Sequence, residues 1–138
     1  IHYNMTKTIH IKQFPKVTNF ENINKDRNEL LENLYQKFPS ENNTNNLNYA
    51  LDVLNGYVYV PNKFQLWDGR YVRVIDTKNP FDMKLRIGGF LINDDGFYIK
   101  LSNKDKFYVY NKRNCITFMM LIENDIYINK LKLLCNSE

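Results

Sequence analysis

The sequence predicts a mainly β (α+β) fold: a small meander β-barrel of five to seven strands preceded by one or two short helices. Three observations carry this expectation. The hydrophobic period changes at Gly56 from three-to-four residues to two and stays there. Turn-forming residues recur at even spacing beyond that point. The chain of 138 residues, 43% hydrophobic and 14% aromatic, is long enough for one core and too short for two well-packed ones. The expected organisation is an N-terminal strand and helical segment over residues 1–55 and a small β-barrel domain over residues 56–138.

Thr8-Ile9-His10-Ile11-Lys12-Gln13-Phe14 alternates as a half-exposed strand and is stopped by Pro15. From Asn22 to Phe38 the apolar residues Ile23, Leu30, Leu31, Leu34 and Phe38 follow helical steps, with Lys25, Asp26, Arg27, Glu29 and Glu32 between them and Pro39 as the stop. Ser40 to Asn46 is polar and without period, which predicts a loop and the best boundary in the chain. Leu47, Ala50, Leu51 and Leu54 share a second helical face, with Thr44 or Asn45 as its cap and Asn55-Gly56 as its end.

Seven strand-length runs follow: Tyr57–Val60, Phe64–Trp67, Tyr71–Ile75, Lys84–Ile92, Phe97–Leu101, Lys106–Tyr110 and Cys115–Leu121. Between them stand Pro61-Asn62, Asp68-Gly69, Thr77 to Pro80, Asp94-Asp95-Gly96, Asn103-Lys104-Asp105 and Asn111 to Asn114. Gly88-Gly89 lies inside the longest run and predicts a bend or bulge, since neither a following helix nor a phosphate-loop pattern is present. Ile126–Leu133 reads as a further strand or a terminal helix, with the strand preferred.

Asn, Lys, Ile, Tyr and Phe supply 66 of the 138 residues, which points to an A/T-rich genome. The chain opens on Ile1, as expected of a processed or excerpted piece of a longer protein. No apolar run of about 18 residues and no signal-peptide pattern occurs, so no membrane association and an intracellular location are expected. Cys115 and Cys135 lack the spacing of a zinc or redox centre and are expected as reduced, partly buried thiols, with a single disulfide between them as the alternative. His2 and His10, the two histidines, lie far from metal-ligand spacing. No cofactor is called for.

The net charge of +4 is unevenly placed. Residues 1–56 carry six basic and six acidic side chains, residues 57–113 eleven and six, and residues 114–138 two and three. The middle of the chain therefore holds a local +5, the kind of concentration that attracts phosphates.

Enzymatic motifs are missing except for one trace. Asp68 with Asp82-Met83-Lys84 loosely resembles the acid, acid-x-Lys arrangement of metal-dependent nucleases, in which carboxylates hold Mg²⁺ and the lysine orients water. So short a pattern arises readily in a chain with 25% charged residues. No enzymatic activity is expected. Strand alternation gives a better-populated constellation. With Val72, Val74, Leu85, Ile87, Phe97, Ile99, Phe107 and Val109 inward, the side chains of Tyr71, Arg73, Lys84, Arg86, Tyr98, Lys100, Lys106, Tyr108 and Tyr110 point outward. Rings can stack on bases while Lys and Arg neutralise phosphates, so Arg73, Lys84, Arg86, Lys100, Lys106, Tyr71, Tyr98 and Tyr108 form a candidate nucleic-acid surface. Against this, outward Lys and Arg belong to any sheet in water, and the two helices could cover the tyrosines.

The runs Gly69–Ile75, Lys84–Ile92 and Gly96–Leu101 give residues 56–121 a strand rhythm that resembles small SH3- or Tudor-like barrels, and is similar to short domains of large DNA viruses and phages with A/T-rich genomes. The resemblance implies a non-enzymatic module in a larger viral assembly, in the host cytoplasm or the virion. Two functions stay open: a module that contacts DNA or RNA through the basic tyrosine-bearing face, and a structural or assembly subunit with protein partners.

Overall fold

A computed structural model describes residues 20–122. The expected strands at Thr8–Phe14 and Ile126–Leu133, and Cys135, lie outside them. Among the described residues two helices, α1 (Phe20–Gln36) and α2 (Glu41–Val53), precede six strands: β1 (Tyr57–Val60), β2 (Tyr71–Asp76), β3 (Gly89–Asp94), β4 (Tyr98–Asn103), β5 (Lys106–Asn111) and β6 (Cys115–Met120). A short 3₁₀ turn, Lys112–Asn114, joins the last two. All pairings are antiparallel, in the order β1-β6-β2-β3-β4-β5. The fold is therefore mainly β with two leading helices, and β1 and β5 are the two outer strands of an open pairing order.

Directly opposed residues share a face in such a sheet, so the register sorts every strand. One face, here the inner, carries Val60, Val72, Val74, Leu91, Ile99, Leu101, Cys115 and Met119 in a single buried cluster, with Tyr110 packed against it. All six strands contribute to that cluster. The opposite, outer face is covered over β1-β6-β2, where Tyr57, Ile75 and Phe118 pack against Leu31, Tyr35, Ala50 and Leu54 of the helical segment. In α1 the buried positions Ile23, Arg27, Leu31 and Tyr35 recur every four residues, which aligns them along one stripe.

Three local expectations are corrected. Ser40–Asn46 is not a loop: Ser40 is the N-cap of α2, its hydroxyl accepting from the Asn43 N–H at 3.0 Å. Asn43 is buried because its amide bridges elements, donating to the carbonyls of Phe38 (2.7 Å) and Pro80 (2.8 Å) and accepting from the Met83 N–H at 2.9 Å. A polar run thus became helix because its side chains cap and crosslink it. Phe64–Trp67 is not a strand; Leu66 instead fills the inner-face cluster, and its N–H is held by the Asp94 carboxylate at 3.0 Å. The long run Lys84–Ile92 is a strand only from Gly89, preceded by one bridge between Ile75 and Leu85.

The bulge at the glycine pair is present. Ile75 faces Leu85 while Val72 faces Gly89, so three steps on β2 oppose four on the other segment. A Cβ on Gly88 would stand 2.7 Å from the Val72 carbonyl oxygen, and one on Gly89 2.7 Å from that of Ser102. Glycine permits this close approach of three backbones.

Candidate binding face

The outer face continues past the helices onto β3, β4 and β5, where no described residue covers it. Its first row crosses four strands: Tyr71 faces Phe90, Phe90 faces Ser102, and Ser102 faces Phe107. The next row sets Lys100 between Asn93 and Val109, and the last pairs Tyr98 with Asn111. A register shift between Leu91 and Asn93 leaves Ile92 outside as well. The rings of Phe90, Tyr98 and Phe107 are exposed by 56%, 50% and 61%, with Ile92 and Val109 at 44% and 60%. An apolar surface of this density is what marks a contact site on a folded domain.

Two ring contacts mark this surface, one at its border and one within it. Tyr71 meets Phe90 edge to face at 5.1 Å between centroids, and its hydroxyl accepts from the Asn103 amide at 3.3 Å. Tyr71 therefore closes the seam between the covered and bare halves. The Lys100 ammonium lies 4.6 Å from the Phe107 ring centroid, a cation–π contact at the middle of the bare half.

The expected site is thereby divided. Tyr71, Arg73, Tyr98 and Lys100 share the outer face as expected. Tyr108 and Tyr110 do not: they oppose Leu101 and Ile99, so they belong to the inner face, along with the strand position of Lys106. Phe107 and Val109, expected inside, take their place outside. The two-residue turn Lys104-Asp105 causes this, since it makes Asn103 face Lys106 and fixes the parity of β5. With Phe107, Tyr108, Val109 and Tyr110 all apolar or aromatic, alternation alone could not choose a face. Phe97 and Ile87, also expected inside, are 67% and 52% exposed, because one stands in the turn before β4 and the other in the irregular stretch before Gly88.

The remaining cations have local partners. Lys84 pairs with Asp82 at 3.5 Å, and Arg86 with Asp76 at 3.3 Å. Arg73 donates to the Arg86 carbonyl at 3.1 Å and is partly buried. Asp82 also accepts from the Asn46 amide at 2.9 Å, so it ties the loop before Leu85 to α2. Among the described residues no group of three or more His, Cys, Asp or Glu side chains is placed to hold a metal ion. Burial pushes the Cys115 thiol up to about 11, with Asp76 adding to the effect. That thiol is protonated at neutral pH and acts as an apolar side chain of the inner cluster.

Three charged side chains, Arg27, Asp94 and Lys112, are buried without any signal in the sequence pattern. Arg27, 3% exposed, donates to the side-chain oxygens of Asn24 and Asn28, both at 2.7 Å, and to the Tyr57 carbonyl at 3.2 Å, and burial lowers its pKa.

The described residues thus form an α+β fold with one helix-covered half-sheet and one aromatic half-sheet that none of them covers. Comparison with protein-family models, with curated proteins and with solved structures finds no match for it. Among the described residues no helix is long and apolar enough to cross a membrane.

Proposed function

We propose that this chain is a non-enzymatic binding module that lays single-stranded nucleic acid across the outer face of β3-β4-β5. The observation that carries the reading is the set of three exposed rings, Phe90, Tyr98 and Phe107, on adjacent strands around Lys100. Exposed rings on an open sheet accept bases of any sequence, and nearby cations neutralise the backbone between them. The local +5 of residues 57–113 supports it. Because Lys84 and Arg86 are engaged with acids, few phosphates are contacted, and salt dependence is shallow. Fluorescence anisotropy with labelled oligonucleotides, comparing the parent chain with Phe107→Ala, tests the reading.

A second reading has its own observation. Ile92 and Val109 are aliphatic and exposed by 44% and 60% between the rings, and a protein interface would bury them. The chain is then an assembly subunit, intracellular or within a virion, as the SH3- and Tudor-like rhythm of residues 56–121 implies. Closure of the sheet toward a barrel belongs to the same proposal. It is supported by the inner cluster drawn from all six strands and by the Tyr110 hydroxyl of edge strand β5, which donates to the Ile87 carbonyl at 2.9 Å.

A further inference from the structure

The two edges of the sheet differ. At β1 the outward groups of Tyr57 are satisfied: its N–H donates to the Leu54 carbonyl at 3.0 Å, and its carbonyl accepts from Arg27 at 3.2 Å. The strand spans only four residues and Pro61 follows it. Such features blunt an edge. β5 is six residues long, keeps an unbroken register with β4, and contains neither proline nor bulge. Among the described residues no strand pairs with its outer side.

The direction of its backbone groups follows from one bond. The Lys112 N–H donates to the Phe97 carbonyl at 2.8 Å, extending the β4–β5 ladder by one step. By the period of two, Tyr110, Tyr108 and Lys106 also bond toward β4, whereas Phe107, Val109 and Asn111 turn their N–H and C=O groups away from it. Asp105 immediately precedes the strand and Arg113 follows it closely. Both are exposed and neither has an ion-pair partner among the described residues.

We propose that a second copy of this chain pairs edge to edge with β5, antiparallel and in a two-fold register centred on Val109. A two-fold axis along the sheet normal keeps outer face with outer face, so only residues of equal parity can be opposed. Centring on Val109 sets Phe107 against Asn111 of the second copy and engages all three outward residues, for about six main-chain hydrogen bonds. The same register brings Asp105 of each copy to the end of β5 that carries Arg113 of the other. It also joins the two bare aromatic half-sheets into one surface. The pairing needs only the edge, and stands or falls independently of nucleic-acid binding.

Sedimentation velocity of the full chain over a concentration series up to about 1 mM tests it. The parent is expected to show a monomer–dimer equilibrium. In Val109→Pro the lost N–H is one that points away from β4, so the internal ladder is kept and the dimer is lost with an unchanged circular dichroism spectrum. Asp105→Arg alone is expected to weaken dimerisation by about threefold to tenfold, and adding Arg113→Asp to restore it. A parent that stays monomeric throughout overturns the proposal, as does a dimer untouched by Val109→Pro. If the proline variant does not fold, the charge exchange decides: no weakening in the single variant, or no recovery in the double, overturns it.

Discussion

The Lys112 ammonium stands 2.9 Å from the Asp94 carboxylate, with 4% and 0% of the two side chains exposed. The lysine also donates to the Phe64 carbonyl at 3.2 Å, and the carboxylate accepts from the N–H groups of Leu66 (3.0 Å) and Gly96 (2.9 Å). One ion pair thus pins the β1–β2 connection to the β3–β4 turn and to the 3₁₀ turn. Removing one member leaves the other charge buried and alone, which costs about 3–5 kcal/mol. Lys112→Met is expected to lower unfolding free energy by that amount in urea titration, and a loss under about 1 kcal/mol would mean the pair is solvated in solution.

A methyl group at position 89 has nowhere to go. Its contact at 2.7 Å would be with the Ser102 backbone oxygen, which cannot move without breaking the β3–β4 ladder. Gly89→Ala is expected to destabilise by about 1–3 kcal/mol. Gly96→Ala offers a contrast, since nothing lies within 4 Å of its added Cβ and only its φ of +93° opposes the substitution. Thermal unfolding of both variants checks the ranking.

Alkaline pH is expected to unfold the protein. Burial raises the Cys115 thiol from its ordinary 9.0 to about 11 and raises Tyr35, Tyr57 and Tyr110 as well. A group whose pKa is higher in the folded state favours folding fully below its unfolded pKa, and that contribution is lost as pH rises through the folded value. For Cys115 the loss runs from about pH 9 to about pH 11. The melting temperature should fall over that window, and less steeply in Cys115→Ala. A flat profile would mean the thiol is open to water.

What was legible in the sequence was the architecture that period and turn chemistry encode. Tyr57–Val60 begins and ends where its alternation does, and a hairpin turn falls within the expected Asn103-Lys104-Asp105, although Asn103 itself is paired in the strand. Less legible was everything that depends on partners distant in sequence. Asn43 reads as loop because its amide is satisfied by Phe38, Pro80 and Met83, up to 40 residues away. Likewise, Leu66 reads as strand because filling a core and pairing in a sheet call for the same residue type. Two of the eight candidate residues, Lys106 and Tyr108, were displaced for a third reason: Phe107 and Tyr108 both suit either face, and only the turn register decides between them. Tyr98 and Lys100 were placed correctly because they alternate with Ile99 and Leu101, whose burial is unambiguous.

The most direct test of the bare half-sheet as a nucleic-acid platform is an anisotropy titration with single-stranded and duplex oligonucleotides across salt concentrations. Single strands are expected to bind more tightly than duplex, since only unstacked bases can lie on Phe90, Tyr98 and Phe107. Tyr98→Ala and Phe107→Ala should each cost about 1–3 kcal/mol, and Lys100→Ala should reduce the salt slope by about 0.7. Phe81, 54% exposed but set edge to face against Phe38 at the helical side, serves as the control ring and should be silent. No binding at low salt, or equal binding by the parent, Tyr98→Ala and Phe107→Ala, would contradict the assignment and leave the face to a protein partner.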